Sequence, residues 1–64
     1  MRIDREKLTL VMARACMGPE DICQKVKLPR PTFNGAIRGR NLRPVTAGKI
    51  AAALGVDVTE ILED

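Results

Sequence analysis

The sequence contains no histidine, no serine, no tryptophan and no tyrosine, and its single aromatic residue is Phe33. Without serine and histidine the chain cannot form a hydrolytic triad or a Cys-His pair, and it has no glycine-rich phosphate-binding loop. Nucleic-acid recognition by base stacking needs exposed aromatic rings, whereas Phe33 falls in a predicted core position. We therefore expect a protein that is not an enzyme and that needs no cofactor.

Cysteine and long apolar runs are also scarce. Two cysteines, Cys16 and Cys23, are too few for the disulfide framework of a small secreted domain, and structural zinc would need about four Cys or His ligands. No apolar run approaches the roughly 18 residues that span a bilayer, and residues 1–7 are too polar for a signal peptide. These absences predict a cytoplasmic protein without membrane contact. Both thiols are expected to be reduced and buried, with a redox switch as the minor interpretation.

The 64 residues are 45% hydrophobic and 30% charged, as in one folded domain, so we predict a single domain over residues 1–64. The net charge of +3 is unevenly distributed, because every Asp and Glu lies in residues 4–21 or 57–64. The cations between these two acidic blocks are Lys25, Lys27, Arg30, Arg38, Arg40, Arg43 and Lys49. Such a cluster is typical of a polyanion-binding surface, although a solvated surface has the same appearance.

Apolar residues recur at helical spacing along the whole chain, and this predicts five helices and no strand. The predicted N-caps are Asp4, Gly18, Pro29, Thr46 and Asp57. In each case the residue before the cap and the fourth residue after it are apolar, which is the pattern of a hydrophobic staple. Asp57 with Glu60 also fits a capping box. An alternative start for the third helix is Pro31, with Arg30 as its cap, because a proline disfavours helical geometry in the residue before it.

Only three residues, Lys27-Leu28-Pro29, separate the second and third helices, and this is the turn length of a helix-turn-helix. The chain resembles the Cro and phage-repressor type (XRE-like) helix-turn-helix domains over about residues 5–62. The resemblance is carried by Ile22-Cys23-Gln24-Lys25-Val26, by Thr32-Phe33 and Ala36, by Arg38-Gly39 with Pro44, and by residues 49–56. It implies an all-α, five-helix lambda-repressor-like domain in which helices 2 and 3 form the helix-turn-helix.

The resemblance further implies a transcriptional regulator, in most cases a repressor, that places a recognition helix at about residues 30–38 in the major groove of double-stranded DNA. Its base-reading positions correspond to Arg30, Pro31 and Gly35, and side-chain chemistry adds Asn34. An arginine can pair with guanine and an asparagine with adenine, whereas Pro31 and Gly35 can read only shape or a methyl group. The alternatives are a solvated cation at Arg30 and a solvent-facing amide at Asn34.

Contacts to the DNA backbone are implied for residues around the end of the third helix and in the loop after it. The predicted set is Thr32, Arg38, Arg40, Asn41 and Arg43. A simpler role for Arg38 is to offset the negative end of the helix dipole. The chain departs from the family at Lys27, where a glycine is usual, so Lys27 must adopt the turn conformation with a side chain present. It departs also at Pro29, at Ile37 and at Gly18-Pro19.

Family members pair as homodimers on two-fold operators, with half-sites about one helical turn apart. We place the pairing surface in the C-terminal part, with Val56, Val58, Ile61 and Leu62 as candidates. The alternative for Ile61 and Leu62 is burial in the core of the monomer. The alternative function is a protein-interaction module whose basic face binds an acidic partner, and the sequence indicates no small-molecule ligand.

Overall fold

The computed structural model describes residues 1–63, and within that range the chain forms four α-helices and one 3-10 helix, with no strand. The helices are α1 (Arg5–Ala15), α2 (Pro19–Val26), α3 (Arg30–Ile37) and α4 (Pro44–Leu54), followed by the 3-10 helix Val58–Glu60. The all-α class is therefore as predicted. No helix in this range combines the length and apolar character needed to cross a membrane. Asp64, which closes the second acidic block, lies outside the described residues.

The first three helices begin where the sequence predicts. Asp4 caps α1 by accepting hydrogen bonds through Oδ1 from the backbone N–H groups of Glu6, at 3.0 Å, and Lys7, at 3.1 Å. Gly18 precedes α2, whose first residue is Pro19. The third helix begins at Arg30 with Pro29 as its cap, so the alternative start at Pro31 is not the one adopted.

The fourth helix begins earlier than predicted, with Arg43 and not Thr46 as its N-cap. The reason is Pro44: the first helical position does not use its N–H, so a proline there begins the helix at no cost in hydrogen bonds. Val45 was predicted to pack under the cap but is 68% exposed. With the true cap at Arg43, the apolar pair flanking the start of α4 is Leu42 and Ala47, which are half-buried and buried respectively.

In place of the predicted fifth α-helix, the chain forms a single 3-10 turn, Val58–Glu60. Its capping box is present: Asp57 accepts from the backbone N–H of Thr59 at 3.1 Å, and Glu60 accepts from that of Asp57 at 3.3 Å. The chain then turns extended and pairs with residues 2–4, where the carbonyl of Ile61 accepts from the Asp4 N–H at 2.8 Å. This pairing uses backbone groups that a longer helix would have needed.

The core is formed by the inward faces of all these elements. Its largest fully buried side chains are Phe33, Leu8, Ile22, Ile50 and Ile61. Within it α2 packs against both α3 and α4, and α1 packs against α4. The α2–α3 pair is thus held by one shared core.

The prediction for the cysteines is correct for one of them. Cys23 is buried on the inner face of α2, but Cys16 is exposed. Cys16 adopts the left-handed conformation, with φ of 55°, at the point where the chain leaves α1. Its side chain therefore no longer follows the apolar face of the helix before it.

Candidate functional site

The connection between α2 and α3 is tied to both helices. Lys27 has φ of 55° and ψ of 47°, so it adopts the left-handed turn conformation expected of it. The N–H of Leu28 donates to the carbonyl of Cys23 at 2.8 Å, and the Leu28 side chain is buried in the core. These contacts leave the turn little freedom and hold α3 in one orientation on α2.

The two faces of α3 differ sharply. Phe33 and Ala36 are fully buried, whereas Arg30, Pro31 and Asn34 are exposed. At 100° per residue, an arc of about 140° contains Arg30, Asn34, Arg38, Pro31 and Gly35. The structure thus brings the four predicted base-reading residues to one side of the helix. Thr32 is also exposed but lies about 60° beyond this arc.

The first turn of α3 offers few free backbone donors. The carbonyl of Pro29 accepts from the N–H groups of Thr32, at 3.1 Å, and Phe33, at 3.2 Å, and Pro31 has no N–H. Only the amide of Arg30 is left to bind an external anion. The chemistry at the tip of α3 is therefore that of the exposed Arg30 guanidinium, a planar fork of donors.

Gly35 provides space for Arg40. A Cβ atom added to Gly35 would lie 3.3 Å from Cδ of Arg40, so the stem of Arg40 runs over this glycine. Gly39, with φ of 88°, reverses the chain, and the N–H of Arg40 donates to the carbonyl of Gly35 at 3.1 Å. Arg40 was predicted in a loop along the DNA backbone, but it lies against α3. It covers Gly35, which is thereby less able to approach a base.

Two shallow depressions follow the sides of α3. One, of about 300 Å³, is lined by Pro31, Asn34, Gly35, Arg38 and Arg40. The other, of about 400 Å³, is lined by Asn34, Ile37, Arg38 and Arg5. Arg5 was not predicted as a site residue, because it lies in the first acidic block, far from α3 in the sequence. Nothing in the local pattern indicates that the start of α1 meets α3.

The loop between α3 and α4 is anchored at Leu42. The N–H of Leu42 donates to the carbonyl of Met1 at 2.6 Å, and the Leu42 side chain packs against the core. Asn41 and Arg43 on either side of it are exposed. The loop thus presents these two polar side chains from an anchored backbone.

We call the exposed polar surface of α3 and its loop the basic face. It consists of Arg30, Pro31, Asn34, Arg38, Arg40, Asn41 and Arg43. None of its four arginine side chains forms a hydrogen bond or ion pair with another residue of the range 1–63. Guanidinium groups in this state can pair bidentately with phosphate oxygens or with the O6 and N7 atoms of guanine.

The predicted pairing surface is only partly available. Ile61 is 0% exposed and belongs to the monomer core, which corrects its assignment to a dimer contact. Val56, Val58 and Leu62 are half-buried and pack against the same core. Each of these three keeps some surface that a second protomer could touch.

Among residues 1–63 no group of three or more Cys, Asp or Glu side chains is arranged to hold a metal ion. No family model matches the chain, and neither a curated protein nor a solved structure matches it.

Proposed function

We propose that the protein is a sequence-specific double-stranded DNA-binding transcriptional regulator, acting as a repressor in the cytoplasm. In this proposal α2 and α3 are the helix-turn-helix, and α3 is the recognition helix. The observation that carries it is the composition of α3. Phe33 and Ala36 fix one face in the core, while Arg30, Asn34 and Arg38 project from the other and form no ion pair with the described part of the chain.

The dimensions of α3 suit the major groove. Eight residues form a helix about 12 Å long, and the groove is about 12 Å wide. Arg30 and Asn34 are one turn apart and about 40° from each other around the axis. Arg30 at the tip can reach a guanine edge, and Asn34 can reach an adenine one or two base pairs away. These two side chains therefore read the sequence in this proposal, with Pro31 contributing shape.

The remaining residues of the basic face serve to hold the DNA backbone. Arg38, Arg40 and Arg43 neutralise phosphates, and Asn41 donates a neutral hydrogen bond to one. Arg40 contributes from the side of α3, where its stem crosses Gly35. A homodimer on a two-fold operator completes the proposal, with Val56, Val58 and Leu62 as its contacts.

Salt dependence tests whether the basic face binds DNA at all. In a fluorescence anisotropy titration with random-sequence duplex DNA, affinity should fall steeply between about 50 mM and about 200 mM salt. Variants Arg40→Ala and Arg43→Ala should each reduce the slope of log affinity against log salt by about one unit. Arg14→Ala, an exposed cation near the end of α1, is the control that removes equal charge elsewhere. If DNA affinity is absent while an acidic protein binds, the protein-interaction module is the correct function.

Base readout needs a second measurement. Selection of binding sites from random oligonucleotides should give a defined site, on which Arg30→Ala costs about 1–3 kcal/mol and relaxes the preference at one base pair. Random-sequence affinity should change less, because the lost contact is to a base. A base preference that survives unchanged in Arg30→Ala would remove this residue from the readout.

A further inference from the structure

The depression between α1 and α3 combines two guanidinium groups from distant parts of the sequence. Arg5 is the first residue of α1, and Arg38 is the C-cap of α3. The other lining residues are Asn34, whose amide can donate a hydrogen bond, and Ile37. Among residues 1–63 no carboxylate lines the depression, so within that range the two positive charges face a common space without a counter-charge.

The backbone under Arg5 is held firmly. Asp4 caps the first turn of α1, and its own N–H donates to the carbonyl of Ile61 at 2.8 Å. Ile3, two residues before Arg5, is buried in the core. Arg5 is thus an exposed side chain on a fixed base, and little backbone freedom is lost when it binds a ligand.

Two guanidinium groups that line one small space can both be attracted to a single anion placed between them. A phosphodiester suits the space, because each planar guanidinium can pair with its oxygen atoms.

The position of this depression relative to α3 also has meaning for DNA. Ile37 and Arg5 lie on one flank of α3, and Gly35 with Arg40 lies on the other. Asn34 and Arg38 lie between the flanks and line both depressions, so Arg38 can reach toward Arg5. A helix in the major groove has one phosphate backbone on each side. Cations on both flanks of α3 can therefore contact both phosphate backbones of the groove.

We propose that Arg5 and Arg38 together hold one phosphate of one DNA strand, across the groove from the strand that Arg40 contacts. The proposal rests on the proposed function, since it uses the same face of α3. It adds α1 to the interface and assigns each flank of α3 to a different strand.

The first test compares Arg5→Ala with Arg14→Ala in DNA titrations. Both residues are exposed arginines of α1, but they are about 180° apart around the helix and about 13 Å apart along it. Arg5→Ala should weaken specific and random duplex DNA by about tenfold. The salt-induced loss of affinity from about 50 mM to about 200 mM should be smaller than in the wild type, by up to about 3.5-fold, since Arg38 still faces the shared phosphate. Arg14→Ala should change neither quantity.

The second test asks whether the two arginines share one phosphate. If they do, the affinity loss in Arg5→Ala/Arg38→Ala is smaller than the product of the two single losses, because the second change removes part of a contact already lost. Losses that multiply would overturn the shared site. Arg5→Lys should keep the salt slope but lose affinity, since an ammonium keeps the charge without the planar fork.

The third test assigns strands with neutral methylphosphonate linkages, introduced one at a time into a selected site. One neutral linkage should cost the wild type clearly more affinity than it costs Arg5→Ala, in which only Arg38 still contacts that phosphate. The linkage whose effect is lost in Arg40→Ala should lie on the other strand. The wild-type scan and Arg5→Lys keep the test decisive if Arg5→Ala does not fold. If Arg5→Ala binds like Arg14→Ala while Arg30→Ala and Arg40→Ala are impaired, the inference is wrong and the proposed function stands. If the wild type has no salt-dependent affinity for DNA, both are wrong.

Discussion

Lys27 in the turn between α2 and α3 carries a backbone strain that glycine would relieve. Its φ of 55° and ψ of 47° place it in the left-handed region, which costs a residue with a Cβ about 1–2 kcal/mol. Glycine avoids this cost but adds freedom to the unfolded chain, which opposes folding by about 0.4–1 kcal/mol. The Lys27 side chain is exposed, so its loss removes little packing. We therefore expect Lys27→Gly to raise the free energy of unfolding by about 0.5–1 kcal/mol.

Urea denaturation followed by circular dichroism measures this change, and the melting temperature should rise by about 2–8 °C for a domain of this size. Lys27→Ala is the matched control, because it removes the same charge and keeps the Cβ, so it should give no such gain. Cys16→Gly is an independent repeat, since Cys16 has the same φ of 55° at the end of α1. A Lys27→Gly protein no more stable than Lys27→Ala would refute the strain argument.

Three further predictions concern other parts of the molecule. In native protein a thiol reagent should modify Cys16 rapidly and Cys23 only on unfolding, because Cys16 is exposed and Cys23 is buried. Hydrogen bonds from the hydroxyl and the N–H of Thr59 hold the pKa of Asp57 below its usual value. The stabilisation this gives is therefore complete above the unfolded pKa of about 3.9 and is lost as pH falls through the folded value. Urea midpoints measured from neutral to acidic pH should show this component in the wild type but not in Asp57→Asn. Phe33→Ala should cost about 3–5 kcal/mol, because Phe33 is fully buried, and circular dichroism at low temperature should show a largely unfolded chain.

Several elements could be predicted from short stretches of sequence. Asp4 and Pro19 mark the starts of α1 and α2, and the apolar spacing around Phe33 identifies the buried face of α3. These features depend on caps and on helical periodicity, which act over about four residues. The predicted start of α4 was wrong because the staple pattern assigned Val45 to a buried position before a cap at Thr46. Val45 is in fact exposed, and the helix begins at Pro44. The fifth helix was predicted too long, since its capping box indicates where a helix begins and not how far it continues.

The sequence by itself determined which side of α3 is polar, because the spacing of Arg30 and Asn34 relative to Phe33 follows from the pitch of a helix. Tertiary structure alone decided what lies beside that face. Arg5 reaches the flank of α3 through the packing of α1, and Ile61 enters the core because the C-terminal segment pairs with residues 2–4. Contacts between residues so far apart in the chain depend on the packing of whole elements. No local pattern of residue types contains that information.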